Sequence, residues 1–156
     1  MYNHSPDGYT CPICLGVKGI ESNETLICKS DIVFKDDLVT AFIGSFFIEG
    51  NHGSVIIVPN EHFENIYDLP NKYAHRIAEI AQKAALAVRK TYPSDGITIL
   101  QNNETDANQH AFHYHLHIFP RYKSDRFFEQ LLNTQKSTPE ERQQYADKVK
   151  KELSTA

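Results

Sequence analysis

The segment AFHYHLHIFP, residues 111–120, places His113, His115 and His117 at strict alternation. On an extended strand alternate side chains point the same way, about 6.6 Å apart. The three imidazoles are therefore expected on one face of a strand running over residues 110–121. Phe112, Tyr114, Leu116 and Ile118 fall on the other face and can pack under a helix. A solvent-facing strand is made more cheaply from Thr, Lys or Glu. Imidazole adds a nucleophile, a general acid or base, or a metal ligand. Neighbouring rings also divide these roles, since one can attack while another fixes its tautomer or orientation through a hydrogen bond. An exposed polar face and an adventitious metal site are the plainer alternatives.

A second group with chemical potential is Cys11 and Cys14, a Cys-x-x-Cys pair in CPICLG. Joined by two histidines, such a pair can make the tetrahedral S2N2 site that zinc prefers. A redox pair, or two ordinary thiols in a turn, would fit the spacing as well. Cys28 lies in an apolar stretch and reads as a small core residue.

These side chains need a frame. Short strands are expected over 26–29, 32–34 and 38–43, separated by Lys-Ser-Asp and Lys-Asp-Asp turns. EGNHG marks a loop. SVIIVP, β-branched and continuous, reads as a central strand buried on both faces. From Pro70 the positions Tyr73, Ile77, Ile80, Ala84 and Val88 recur at helical spacing until Pro93 and Gly96. GITILQNN is a further strand. After Tyr122 the chain turns polar, and Thr138-Pro139 with Glu141 forms a capping box before a helix striped by Tyr145, Val149 and Leu153. The first ten residues read as a loose arm.

The chain has 156 residues, 40% hydrophobic and 23% charged, which suits one globular domain. A net charge of -4 argues against a nucleic-acid polymer as partner, while leaving small phosphorylated ligands open. No apolar run reaches membrane-spanning length, and MYNHSPDGYT lacks the apolar core of a signal peptide. The expected location is cytoplasmic, with no membrane partner.

HYHLHIF followed by PR resembles the signature of the histidine-triad (HIT) superfamily of nucleotide hydrolases and transferases. GSVIIVPNEHFENIYDLP, DDLVTAF and LQNNETDANQHAFHYHLHIFPR are similar to other segments of that family, so the resemblance covers residues 11–121. It implies an α+β fold: a mostly antiparallel five-stranded sheet with one long helix and a C-terminal helix. Residues 1–121 would form the HIT domain with an N-terminal zinc knuckle. Residues 122–156 would be a helical extension packed on the domain or on a dimer partner. Two subunits would pair into a continuous ten-stranded sheet.

The resemblance also implies roles. His115 would attack the α-phosphorus of a nucleotide and form a nucleotidyl-histidine, which water would release as a nucleoside monophosphate. His117 would donate to phosphate oxygens, and His113 would belong to the same triad. Asn102, Asn108, Gln109 and His110 would bind substrate, the backbone amides of the last three serving as further donors. Phe34 and Phe42 are candidates to sandwich the base, with core packing as the alternative for both. Cys11, Cys14, His62 and His113 would hold a structural zinc. The implied substrates are dinucleoside polyphosphates or nucleoside phosphoramidates. A nucleotide-binding or scaffold protein with little turnover, a nucleotidyltransferase and a plain zinc protein are the alternatives.

Four positions depart from the family pattern. Gly44 stands where an Asp is usual and Ser54 where a supporting His is usual, with His52 nearby as a substitute. Asn108 stands where Gly is usual and His110 where a hydroxyl is usual.

Overall fold

The run VIIVP forms the middle strand of a five-stranded sheet in a computed structural model that describes residues 2–154. Residue 1 of the arm and residues 155 and 156 of the tail lie outside the described residues. Across the sheet the order is β1 (Ile32–Lys35), β2 (Val39–Ile43), β4 (Val55–Pro59), β6 (Leu116–Arg121) and β5 (Gly96–Gln101). Every neighbouring pair is antiparallel, so the fold is the expected α+β one.

The two faces of the sheet do different work. Val39, Ala41, Ile43, Val55, Ile57 and Ile118 meet the apolar stripe of α2 (Asn71–Thr91), which buries Tyr73, Ile77, Ile80, Ala84 and Val88. On the opposite face the register aligns Phe42, Ile56, His117 and Leu100 in a single row across β2, β4, β6 and β5. Among the described residues this second face carries no helix of comparable length and is left to build a groove.

The polar tail joins the helix layer. α4 (Pro139–Leu153) starts at the expected capping box: Thr138 Oγ1 accepts from the Glu141 amide at 3.2 Å, and the Glu141 carboxylate accepts from the Thr138 amide at 2.7 Å. Ala146 and Val149 enter the same core as α2. Buried Arg142 and buried Asp31 form an ion pair at 2.9 Å that ties α4 to the start of β1.

Several local expectations are corrected. Residues 26–29 do not form a strand, because side chains satisfy their backbone. Arg142 donates to the Leu26 carbonyl at 2.8 Å, and Asp31 accepts from the Cys28 amide at 2.8 Å as a 3-10 turn begins at Lys29. The Cys-x-x-Cys turn is a short helix, α1 (Pro12–Val17), with Cys11 as its N-cap and Pro12 in the first turn. The N-terminal arm is not loose. The Glu64 carboxylate accepts from the amides of His4 and Ser5, and Asn65 Nδ2 donates to the Tyr2 carbonyl and to Asn3. Two short strands without a sequence signal, β3 (Phe46–Ile48) and β7 (Thr134–Lys136), pair into a separate ribbon. A four-residue helix, α3 (Phe127–Gln130), precedes β7.

The histidine strand also begins later than expected, at Leu116 instead of His110. Residues 111–115 are bent: the His113 amide donates to the Ala111 carbonyl at 2.8 Å, and the Tyr114 amide to the Phe63 carbonyl at 2.6 Å. The strict alternation therefore does not put all three imidazoles on one face. Phe112 likewise leaves the helix side and packs edge-on against Tyr9 of the arm.

Candidate functional site

The bend sends the three histidines two ways. His115 and His117 line a groove of about 580 Å³ on the open face of the sheet, within the usual range for a small-molecule site. Their ring centroids lie 5.0 Å apart, and His117 stacks on Phe119 at 5.2 Å. His113 is fully buried and faces away from the groove toward Cys11 and Cys14.

The backbone fixes the state of His115. Its Nδ1 lies 2.7 Å from the His113 carbonyl, which can only accept. The proton therefore sits on Nδ1, and Nε2 keeps its lone pair. Burial lowers the pKa of His115, opposed by that hydrogen bond, so the ring is held toward the neutral form. His117 is complementary. Its Nδ1 is buried without a partner, so a proton placed there would be an unsatisfied donor. The cheaper tautomer carries the proton on Nε2. Burial, with a smaller effect from His115, pushes the pKa of His117 down to about 3, so the ring acts as a neutral donor. One ring offers a lone pair and the next an N–H, which is what in-line attack at phosphorus needs from a nucleophile and an oxyanion donor.

The loop after β5 supplies polar groups. Asn102, Asn108 and His110 line the groove, and Asn102 Nδ2 donates to the Asn108 carbonyl at 3.4 Å. Asn108 has φ +65°, a conformation that Asn tolerates better than most residues. Gln109 is buried and turned inward: its side chain accepts from the Glu104 amide at 2.6 Å and donates to the Glu64 carbonyl at 2.5 Å. It shapes the loop and does not reach the groove. The amides of Asn108 and Gln109 are spent on the carbonyls of Thr105 and Glu104, which removes them as phosphate donors.

The two aromatic candidates separate. Phe42 lines the groove, whereas Phe34 is turned to the helix side, where Arg76 lies 5.7 Å from its ring centre. The cause is a bulge in β1 between Ile32 and Phe34 that breaks the alternation. His52 stacks on Phe47 at 4.8 Å, beside Tyr145, and takes no part in the groove. A Cβ at Gly44 would lie 2.9 Å from Ser54 Oγ and 3.2 Å from Ile56 Cδ1, so a side chain there requires Ser54 to turn away. Sequence reasoning missed Phe46, Leu131, Leu132 and Thr134, which wall the groove from the β3–β7 ribbon and the segment before β7. They belong to the polar tail and its unforeseen partner strand, and no periodic pattern marks them.

A second constellation adjoins the first. Cys11, Cys14, His62 and His113 bring four donor atoms within 4.8 Å of one another. His113 Nδ1 lies 3.4 Å from both thiol sulfurs, and His62 Nδ1 lies 3.4 Å from Cys14 Sγ. Tetrahedral zinc with ordinary Zn–S and Zn–N bonds requires S···N separations of about 3.5 Å, so the donors already stand at coordination distance. His113 Nε2 donates to the Pro59 carbonyl at 3.0 Å, the outer hydrogen bond that orients a histidine ligand. The thiols share protons unevenly. The bond from Cys14 holds the Cys11 thiol well below its ordinary range, with a smaller contribution from His113, and the same bond raises Cys14.

A family model described as HIT domain matches residues 27–124. Protein hit of Bacillus subtilis is 30% identical over 126 residues, which is 80% of this chain and 86% of that protein. The crystal structure of a Zn-bound histidine triad family protein from Mycobacterium smegmatis aligns over 94% of both chains, with a TM-score of 0.75 and 22% identity. Plasmodium falciparum diadenosine triphosphate hydrolase, solved with Cyclomarin A, aligns over 99% of this chain and 90% of its own, with a TM-score of 0.72 and 16% identity. At these identities the two structures speak for the fold alone.

Proposed function

Because the chain belongs to the HIT domain family, we propose that it is a nucleotide hydrolase working at the α-phosphorus through a covalent intermediate on His115. One observation carries this reading: the His113 carbonyl fixes the proton of His115 on Nδ1 and leaves the Nε2 lone pair at the wall of a groove. In the first step a bond forms from Nε2 to phosphorus as the bond from phosphorus to the leaving group breaks. The leaving group departs with the electron pair and takes up a proton from solvent. In the second step water attacks phosphorus and gives up a proton to solvent, the N–P bond breaks with its electron pair returning to Nε2, and a nucleoside monophosphate leaves. One difficult displacement is thereby divided into two. His117 supplies a neutral N–H to the phosphoryl oxygens, and Asn102 adds an amide donor from the loop.

Zinc at Cys11, Cys14, His62 and His113 would be structural, because four protein donors leave no open position for chemistry. His113 would then position the nucleophile from two sides, through its ring in the metal corner and its carbonyl on His115. No helix among the described residues is long and apolar enough to cross a membrane.

Intact-protein mass spectrometry, with product analysis, tests the assignment. Wild type is mixed with adenosine 5'-phosphoramidate, with diadenosine tetraphosphate and with their guanosine counterparts. Release of a nucleoside monophosphate, or an adduct of nucleotidyl mass that His115→Ala abolishes, is the expected result. Nucleotide binding with neither turnover nor adduct would sink the hydrolase reading in favour of a binding protein.

A further inference from the structure

We infer that Arg142 is a positioning residue for the groove: from α4 its guanidinium holds together two stretches of the groove rim, residues 24–28 and the base of the β3–β7 ribbon. The inference goes beyond the chemistry on His115 and rests on the groove being the nucleotide site.

Each nitrogen of the guanidinium has its own segment to hold. Nη2 donates to the Leu26 carbonyl at 2.8 Å, and Nη1 donates to the Ser137 carbonyl at 2.7 Å. Nε stands 2.9 Å from Asp31 Oδ1. Ser137 in turn latches the ribbon, since its amide and its hydroxyl both donate to the Ser45 carbonyl, at 3.0 and 2.9 Å. Leu26 and Ser45 line the groove, beside Ile27 and Phe46. A rigid fork of donors lets one side chain tie these segments together. A Lys ammonium in its place is a single nitrogen on a flexible stem.

The rim has little else to fix its backbone. Residues 24–28 belong to no sheet. Apart from a 3.7 Å contact of Arg142 Nη2 with Cys28 Sγ, their other hydrogen bonds among the described residues stay within the stretch 22–31. Ile27 joins an apolar cluster with Ile13 and Phe42, which anchors its side chain and leaves the neighbouring carbonyl to Arg142. The ribbon itself has only three residue pairs. Stability alone does not account for an arginine here, because an apolar pair of similar volume often replaces a buried ion pair at no cost. What such a pair cannot do is bind the carbonyls of Leu26 and Ser137. Arg142 also lies beyond residues 27–124, the stretch that matches the family model. The groove is therefore shaped from outside the matched domain.

Three variants separate positioning from stability. Asp31→Asn with Arg142→Met removes the buried charges and the fork but keeps the volume. Arg142→Lys keeps the charge and loses the fork, and it decides alone should the double variant unfold. Val149→Ala thins the core under α4, and Val149 is not part of the groove lining. On each, kinetics are measured with adenosine 5'-phosphoramidate, affinity by calorimetry with adenosine and guanosine 5'-monophosphates, and hydrogen exchange over residues 24–28 and 134–137. Both Arg142 variants should raise KM and weaken monophosphate binding roughly tenfold, the scale of one lost hydrogen bond. Their kcat should change by less than about twofold, because the partners of His115 and His117 are untouched. Exchange over both stretches should quicken by about tenfold. Val149→Ala should lose stability and leave KM, affinity and rim exchange unmoved. Unchanged KM and affinity in the Arg142 variants, or an equal rise of KM in Val149→Ala, overturns the inference, while an adduct on His115 keeps the hydrolase. If wild type binds monophosphates without turnover, the hydrolase falls, and affinity with exchange still decides the role of Arg142. Wild type that neither binds nor turns over removes both.

Discussion

Replacing Arg142 with Ala should be among the most destabilising single changes in this chain, although the residue lies outside the apolar stripe of Tyr145, Val149 and Leu153 that marks its helix. Its partner Asp31 is fully buried, and their Nε–Oδ1 separation is 2.9 Å. The Nε–H is not aimed at that oxygen, so charge holds the pair more than a hydrogen bond does. Removing one member of such a pair costs about 3–5 kcal/mol, because the other charge stays buried and uncompensated. Asp31 would keep the Cys28 amide on Oδ2, which favours the lower part of that range. The carbonyls of Ser137 and Leu26 would lose donors at 2.7 and 2.8 Å, at about 1 kcal/mol each. Since these costs overlap, about 4 kcal/mol is the expected loss, or roughly 8–16 °C in Tm for a chain of this size. Urea unfolding followed by circular dichroism measures it, as a fall in midpoint at constant slope. The double variant Asp31→Asn with Arg142→Met leaves no buried charge and should recover more than half of the loss. A drop under about 3 °C for Arg142→Ala, or a double variant no better than the single one, would refute the buried-charge account.

Other outcomes follow from the site and its surroundings. Protein purified without chelators should carry one zinc per chain by elemental analysis, and Cys14→Ser should lose most of it; full loading of that variant would rule out the S2N2 assignment. His117 has its folded pKa lowered to about 3 from an ordinary value near 6.5, so its stabilising effect is complete above 6.5 and is lost as pH falls toward 3. The acid limb should therefore steepen by up to about 1.4 kcal/mol per pH unit, and His117→Gln should flatten it in pH-dependent unfolding. β5 is an edge of the sheet, with Ile99 on it 52% exposed and Leu86 of α2 also exposed. Pairing of two chains there predicts a dimer by light scattering that Ile99→Lys dissociates; a wild-type monomer at micromolar concentration would contradict it.

The strongly patterned parts of the chain were legible in its sequence. The β-branched run before Pro59, the helical stripe from Tyr73 to Val88 and the capping box at Thr138 each depend on local preference, and each lies where the pattern puts it. The cysteine pair met two histidines because Cys11 caps α1 and the bend at 111–115 turns His113 toward it. That same bend defeated the alternation, since the Phe63 carbonyl captures the Tyr114 amide before the strand begins, and this contact is invisible locally. Phe34 escaped for a similar reason: a bulge of one residue reverses every face after it. The ribbon and buried Arg142 depend on partners far along the chain, for which sequence offers no periodic signal.

The ribbon also sets an order in time. It joins residues 46–48 to residues 134–136, nearly ninety positions apart, through only three residue pairs. Closing so long a loop for so few contacts is slow to be repaid, so the roof of the groove should form after the sheet beneath it. A growing chain would complete the wall of Phe42, Ile56 and Phe119 before the segment that shields it exists. During that interval an apolar surface faces the solvent, and self-association competes with closure. The segment that makes the groove safe to own is thus one that follows the whole of the sheet along the chain.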